Sequence, residues 1–306
     1  MRGGASLLAF LATALVLPVL IVGIINRTKA LWAGRKGLPI LQLAFDTLRL
    51  IRKRPVYSSV TTAAFRIAPY AVLATAIASG LVVPLLGRNS VIAFPFDFVW
   101  FAYVWGLGRV ALILAAMDAG SSFEGMGASR EATFSALLEP TLFLVAGALC
   151  IVSGQRSLEG AIAMHVVGGS SLVVWAASIV ALFIVVQVES ARMPVDDPNT
   201  HLELTMIHEV MILDHSGPDL AALQFGSAIK MTVGIALLAA LLNPWTGNHG
   251  TAVAATSNVA VSLVIAVVIG TVESLVARLK LSAVPQYILA ALIAAFVALI
   301  ATSWRS

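Results

Sequence analysis

The sequence predicts an all-α polytopic membrane protein: about eight transmembrane helices, with amphipathic surface helices in the cytoplasmic loops, in one integral domain over 1–306. Three observations predict it. Of the 306 residues 59% are apolar and 11% charged, where soluble domains run near 25% charged. Mean hydropathy is +0.97. The apolar residues fall in runs close to the roughly 20 that cross a bilayer core, without the alternation of a barrel strand. A soluble globule of this size cannot hide so much apolar surface. That excludes a soluble enzyme, a nucleic-acid binder and a disordered chain.

The first run, 5–25, carries no charge. It is too long for a signal-peptide core, has no clear small-residue cleavage site and leads into a basic segment, so it reads as span one. The others are 65–86, 98–117, 136–153, 161–187, 220–243, 251–273 and 282–303. Two of the connecting loops are long, 26–64 and 188–219. In the first, Leu41, Phe45 and Leu48 recur with Asp46, Arg49 and Arg52 between them. That pattern fits an interfacial helix over Leu38–Ile51 or an ordinary amphipathic connector. In the second, Leu202, Met206, Val210 and Leu213 make one stripe over Thr200–Leu213. Asn199 or Thr200 would cap that helix and Gly217-Pro218 would stop it.

The basic residues orient the spans. Arg27, Lys29, Arg35, Lys36, Arg49, Arg52, Lys53, Arg54, Arg130, Arg192, Arg278 and Lys280 fall in the odd-numbered loops. Arg2, Arg88, Arg156 and Arg305 fall on the other side. Twelve against four puts the odd loops in the cytoplasm and both termini outside. The excess of cations thus reports topology rather than affinity for nucleic acid.

Charges inside spans are expensive and point to function. Arg66 and Glu273 lie near span ends, where they can snorkel to water. Arg109 and Lys230 lie deeper and are expected to face the interior and find carboxylates. Glu139 opens span four, and His165 in span five fits packing better than ligation. The densest charge lies in 189–219, with seven acids, three histidines and one arginine. Its apolar residues imply partial burial, where carboxylates and histidines acquire shifted, coupled affinities for protons. At helical spacing Arg192 would pair with Glu189, or with Asp196.

Metal and redox sites on this chain are not expected. His201, His208 and His215 are seven apart, so successive rings on a helix stand about 10 Å apart, too far for one zinc. The single cysteine, Cys150, excludes an internal disulfide and a self-contained iron–sulfur cluster. Gly120, Gly125 and Gly127 do not follow a strand and make no phosphate loop.

The string Glu189-x-x-Arg192-x-Pro194-x-Asp196, followed by Glu203-Leu204, resembles the signature loop of the subunit-1 family of respiratory complex I. The longer stretch from Pro194 to Glu209 resembles the formate hydrogenlyase subunit 4 and hydrogenase-4 component C branch, which accompanies membrane-bound nickel–iron hydrogenases. Gly37 to Pro55 resembles the family's first cytoplasmic loop; Asp118 to Glu131, with Glu139-Pro140, resembles its second. Quinone-reducing members have more glutamates in the signature loop and usually Phe where Val195 stands; here Asn199 and His201 occupy the acidic positions. That difference favours the hydrogenase-like branch.

The resemblance implies a non-catalytic membrane heel in a bacterial or archaeal cell membrane. Hydrogenase-like large and small subunits and an iron–sulfur subunit would dock on its cytoplasmic side, carrying the nickel–iron and iron–sulfur centres. Antiporter-like membrane subunits would lie alongside. Glu139, Glu189, Arg192, Asp196, Glu203, Glu209, Asp214 and Lys230 would couple electron transfer to a proton or sodium path; Asp46, Arg49, Arg130 and Glu131 would meet the docked subunits. A quinone-reducing subunit, a passive anchor and a stand-alone transporter are the competing readings. The last is disfavoured by the lack of a strong internal repeat.

Overall fold

A computed structural model describes residues 4–87, 89–163, 168–196, 206–243 and 250–304. Among the described residues the elements are α1 (Gly4–Trp32), α2 (Gln42–Ile51), α3 (Ala63–Gly80), α4 (Asp97–Asp118), α5 (Ser122–Ser153), α6 (Leu158–Ile162), α7 (Ser170–Glu189), α8 (Gly217–Leu242), α9 (Thr251–Leu275) and α10 (Val284–Ser303), with short 3-10 turns at Glu209–Ile212 and Leu281–Ala283. Among the described residues eight helices are long and apolar enough to cross a membrane: all but α2 and α6.

α8 is the central helix. Its most apolar window is 78% buried, against 28–50% for the other spans. Lipid tails are as apolar as leucine, so helices in a bilayer associate through close backbone approach rather than hydrophobic exclusion. α8 supplies small residues for this. A Cβ added at Gly226 would stand 3.1 Å from the Leu73 Cα, and one at Gly234 would stand 2.9 Å from a Val186 methyl. α3 and α7 therefore lie directly against α8, α4 packs on α3, and α10 packs on α5 and α7. α1 and α9 meet at Gly270, where a Cβ would be 2.9 Å from the Ile25 carbonyl oxygen.

Local chemistry sets the helix ends where α3 begins and α4 ends. Thr62 caps α3, and the Asp118 carboxylate at the end of α4 accepts from the amides of Thr62 at 2.7 Å and Phe65 at 3.2 Å. An anion at a helix N-terminus satisfies free N–H groups and the dipole together. The two helices are thereby tied end to end.

Three expectations need correction. Span four does not begin at 136: α5 starts at Ser122 and runs 32 residues, so Glu139 stands mid-helix. Glu124, Arg130 and Glu131 lower the hydropathy of its first half without breaking the helix. Gly217-Pro218 begins α8 instead of stopping the preceding segment, because proline at the first helical positions lacks only an N–H that would be unpaired there. The second loop helix is, within the described residues 206–213, a 3-10 turn over Glu209–Ile212; the expected caps Asn199 and Thr200 lie outside the described residues.

Candidate functional site: a buried charge cluster at the end of span five

α7 ends at Glu189, and the chain turns sharply, with Ala191 at φ 49. The helix does not continue to Arg192, so the expected Glu189–Arg192 pairing is not made. Arg192 instead lies 3.6 Å from Glu273. Glu189 points inward and is held by two cations from other spans. Arg109 of α4 donates to it at 2.6 Å and Lys230 of α8 lies at 2.5 Å. The Arg109 guanidinium also donates to Glu139 of α5 at 2.6 Å. Arg109 and Lys230 have thus found their carboxylates, and the four formal charges cancel. Trp105 covers one side, with the Lys230 ammonium 5.4 Å from its ring centre.

The members differ in exposure. The side chains of Arg109 and Glu189 are 5% and 4% exposed, whereas that of Glu139 is 48% exposed halfway along α5. Pro140 follows it and has no N–H, so the Ala136 carbonyl lacks its helical donor there. Breaks of this kind persist at membrane depth where protein or water meets the freed group. Glu131, expected at a docking surface, borders a small cavity of about 10 Å³ beside Arg109 and Glu189.

Two further ion pairs fix the segments around the cluster. Asp196 is buried; its Oδ1 accepts from Arg278 at 2.8 Å and its Oδ2 accepts from the amides of Ile207 and His208, each at 3.0 Å. Glu273 does not snorkel: it is buried, 2.9 Å from Lys29. The close α1–α9 approach at Gly270 brings that lysine within reach. Arg130 donates to the Met206 carbonyl at 2.7 Å and so holds the loop against α5. Gly127 lets the 3-10 turn lie against α5, since a Cβ there would stand 2.4 Å from a Val210 methyl.

The remaining predicted residues are more scattered. Asp214 is exposed, and its amide donates to Glu124 at 3.1 Å. Glu209 and Asp46 border a larger cavity of about 320 Å³ between α1, α2 and α8, together with Arg192 and Gln224. Asp46 also receives Gln42 at 2.9 Å and lies 3.5 Å from Arg49, which is exposed. Glu203 and His165 lie outside the described residues. Arg66 stays exposed, over the Tyr57 ring at 4.7 Å. His215 stacks on Phe65 with centroids 3.9 Å apart, and burial lowers its pKa to about 4, so the ring is neutral. Among the described residues no group of three His, Cys, Asp or Glu side chains is placed to hold a metal ion. The sequence counts Lys29 and Arg278 only toward topology. Their partners lie 244 and 82 residues away in the chain, a separation no local pattern reveals.

The family model for NADH dehydrogenase matches residues 5–303. The chain belongs to this family, that of complex I subunit 1. Two curated relatives come from Escherichia coli. Hydrogenase-4 component C is 28% identical over 231 residues, covering 76% of this chain and 72% of the relative. Formate hydrogenlyase subunit 4 is 26% identical over 273 residues, covering 87% and 88%. A chain from the structure of an archaeal respiratory membrane complex, the membrane-bound sulfane sulfur reductase, superposes with a TM-score of 0.77 at 21% identity, covering 97% of this chain and 98% of that one. This last likeness speaks for the fold. The family's membrane-embedded architecture and the eight spanning helices make the chain a multi-pass membrane protein.

Proposed function

We propose that this chain is the membrane heel of a hydrogenase- or formate hydrogenlyase-like oxidoreductase. It docks a soluble redox arm and couples electron transfer to movement of protons or sodium ions. The observation that carries the reading is the charge-balanced cluster of Arg109, Glu139, Glu189 and Lys230. It draws on α4, α5, α7 and α8 and runs from a buried interior to a half-exposed carboxylate halfway along α5. A carboxylate facing lipid at that depth is costly. Its exposure fits a lateral contact with an antiporter-like membrane subunit that continues the ion path.

Hydrogenase-like large and small subunits and an iron–sulfur subunit, carrying the nickel–iron and iron–sulfur centres, would meet the cytoplasmic loops. A change of charge or shape there biases Asp196 and the loop it holds. Such a bias acts on the cluster only through interactions that differ between the two redox states. The relatives' membership of hydrogenase-4 and formate hydrogenlyase supports this branch. Both termini would lie outside the cell membrane. Purification in mild detergent tests the assembly: hydrogenase-like soluble subunits are expected to come away with this chain, and recovery of the chain alone from intact membranes argues against it. The cavity of about 320 Å³ favours one second reading, a quinone-reducing subunit. Inhibition of turnover by quinone-site inhibitors would decide for that one.

A further inference from the structure

His208 borders three cavities at once. The first is the wide one of about 320 Å³, reached past Glu209, Arg192 and Asp46. The second, about 10 Å³, lies against Glu131, Glu189 and Asp196. The third, about 20 Å³, lies against Arg109 and Lys230. The two small ones are each about the size of one water. His208 itself is half-buried, and its imidazole is near enough to Glu189 to interact with it electrostatically. Its backbone is fixed by Asp196, which accepts from its amide at 3.0 Å and is itself anchored by Arg278. The clamp acts on the main chain, not on the ring.

Resting on the heel reading above, we infer that the His208 imidazole is the proton relay between the wide cytoplasmic cavity and the buried Arg109–Glu189–Lys230 cluster. Imidazole suits that position. It accepts a proton on one ring nitrogen and gives up the proton on the other, returning to the neutral ring in its second tautomer. On the cavity side a donor's bond to hydrogen breaks as one N–H bond forms; on the cluster side the other N–H breaks as an O–H forms on the Glu189 carboxylate, so proton and charge balance. The surroundings set the competition. Glu189, Glu131 and Asp196 favour the imidazolium, while Arg109 and Lys230 disfavour it and drive the proton onward. Arg192 on the cavity side resists a resting charge there, and Glu209 and Asp46 offer the proton its approach.

The test uses the assembled complex in sealed vesicles, comparing protons moved per electron for His208→Gln, His208→Ala and Glu189→Gln. Glutamine keeps the polarity but cannot relay, so the His208→Gln ratio is expected to be lost. His208→Ala is expected to fall likewise and to recover when imidazole is added, since the wide cavity admits the free base. Recovery is a readout that a merely structural histidine would not give. A normal ratio in His208→Gln beside a lost one in Glu189→Gln overturns the relay and leaves the cluster's role standing. A His208→Ala loss that imidazole does not repair, but His208→Gln does, assigns the residue to packing and overturns the relay too. A normal ratio in Glu189→Gln removes both the relay and the reading beneath it.

Discussion

Replacing Glu189 by glutamine probes the cluster at its centre. The side chain keeps its size and loses the charge that Arg109 and Lys230 share at 2.6 and 2.5 Å. Breaking a buried ion pair typically costs about 3–5 kcal/mol, because the surviving ion is left uncompensated. Both cations keep partial support: Arg109 retains Glu139 at 2.6 Å, and Lys230 retains the face of Trp105. The loss is accordingly set at the low end, about 3 kcal/mol. That is roughly a 100-fold change in the folded-to-unfolded ratio. The assay is detergent-micelle unfolding of Glu189→Gln, Lys230→Met and the double variant. Once Glu189 is neutral, removing the lysine relieves an uncompensated charge, so the double variant should be less damaged than the sum by about 1–2 kcal/mol. Additivity within about 0.5 kcal/mol would refute the claim that these two side chains neutralise each other.

Gly127→Ala should cost about 1–3 kcal/mol, read by thermal unfolding, because its Cβ would meet Val210 and the Ile207 carbonyl and push the turn off α5. An unchanged midpoint would mean the turn is not pinned there. His215 has a folded pKa of about 4, below the usual 6.5, so the unfolded chain binds more protons as pH falls. The stability of its neutral, stacked form is therefore full above pH 6.5 and is lost as pH drops toward 4, by up to about 1.4 kcal/mol per pH unit. His215→Phe should flatten that part of the unfolding profile. Single cysteines placed at Lys53 and Gln155, in a background with Cys150 replaced, should react with a membrane-impermeant maleimide from the cytoplasmic and outer sides respectively. The reverse pattern would invert the topology derived from the basic residues.

The spans were readable because each is a run of apolar residues long enough to cross a bilayer, and α2 was readable from its amphipathic spacing over Leu41, Phe45 and Leu48. The first half of α5 was not, because hydropathy sees the charges of Glu124, Arg130 and Glu131 and takes them for a loop. The site was half legible. A lysine and an arginine deep in spans announced that carboxylates must meet them, and Lys230 and Arg109 do so at Glu189. Which cation meets which carboxylate depends on helix packing. Arg109 and Glu189 are 80 residues apart in sequence, and Asp196 and Arg278 are 82 apart. The Glu189–Arg192 expectation failed because the helix ends at Glu189 and Ala191 turns at positive φ, where no glycine marks the turn. His208 carried no signal of its own beyond its seven-residue spacing from His201 and His215. Its place between cavities exists only once α4, α7 and α8 have closed around it.

The central claim is that the Arg109–Glu139–Glu189–Lys230 cluster carries coupling out to a neighbouring membrane subunit. Ions translocated per electron by the assembled complex in sealed vesicles, with Glu139→Gln in this chain, test it most directly. Glu139 is the cluster's half-exposed end, so the account predicts that the ratio collapses. A ratio equal to that of the unsubstituted complex would contradict it.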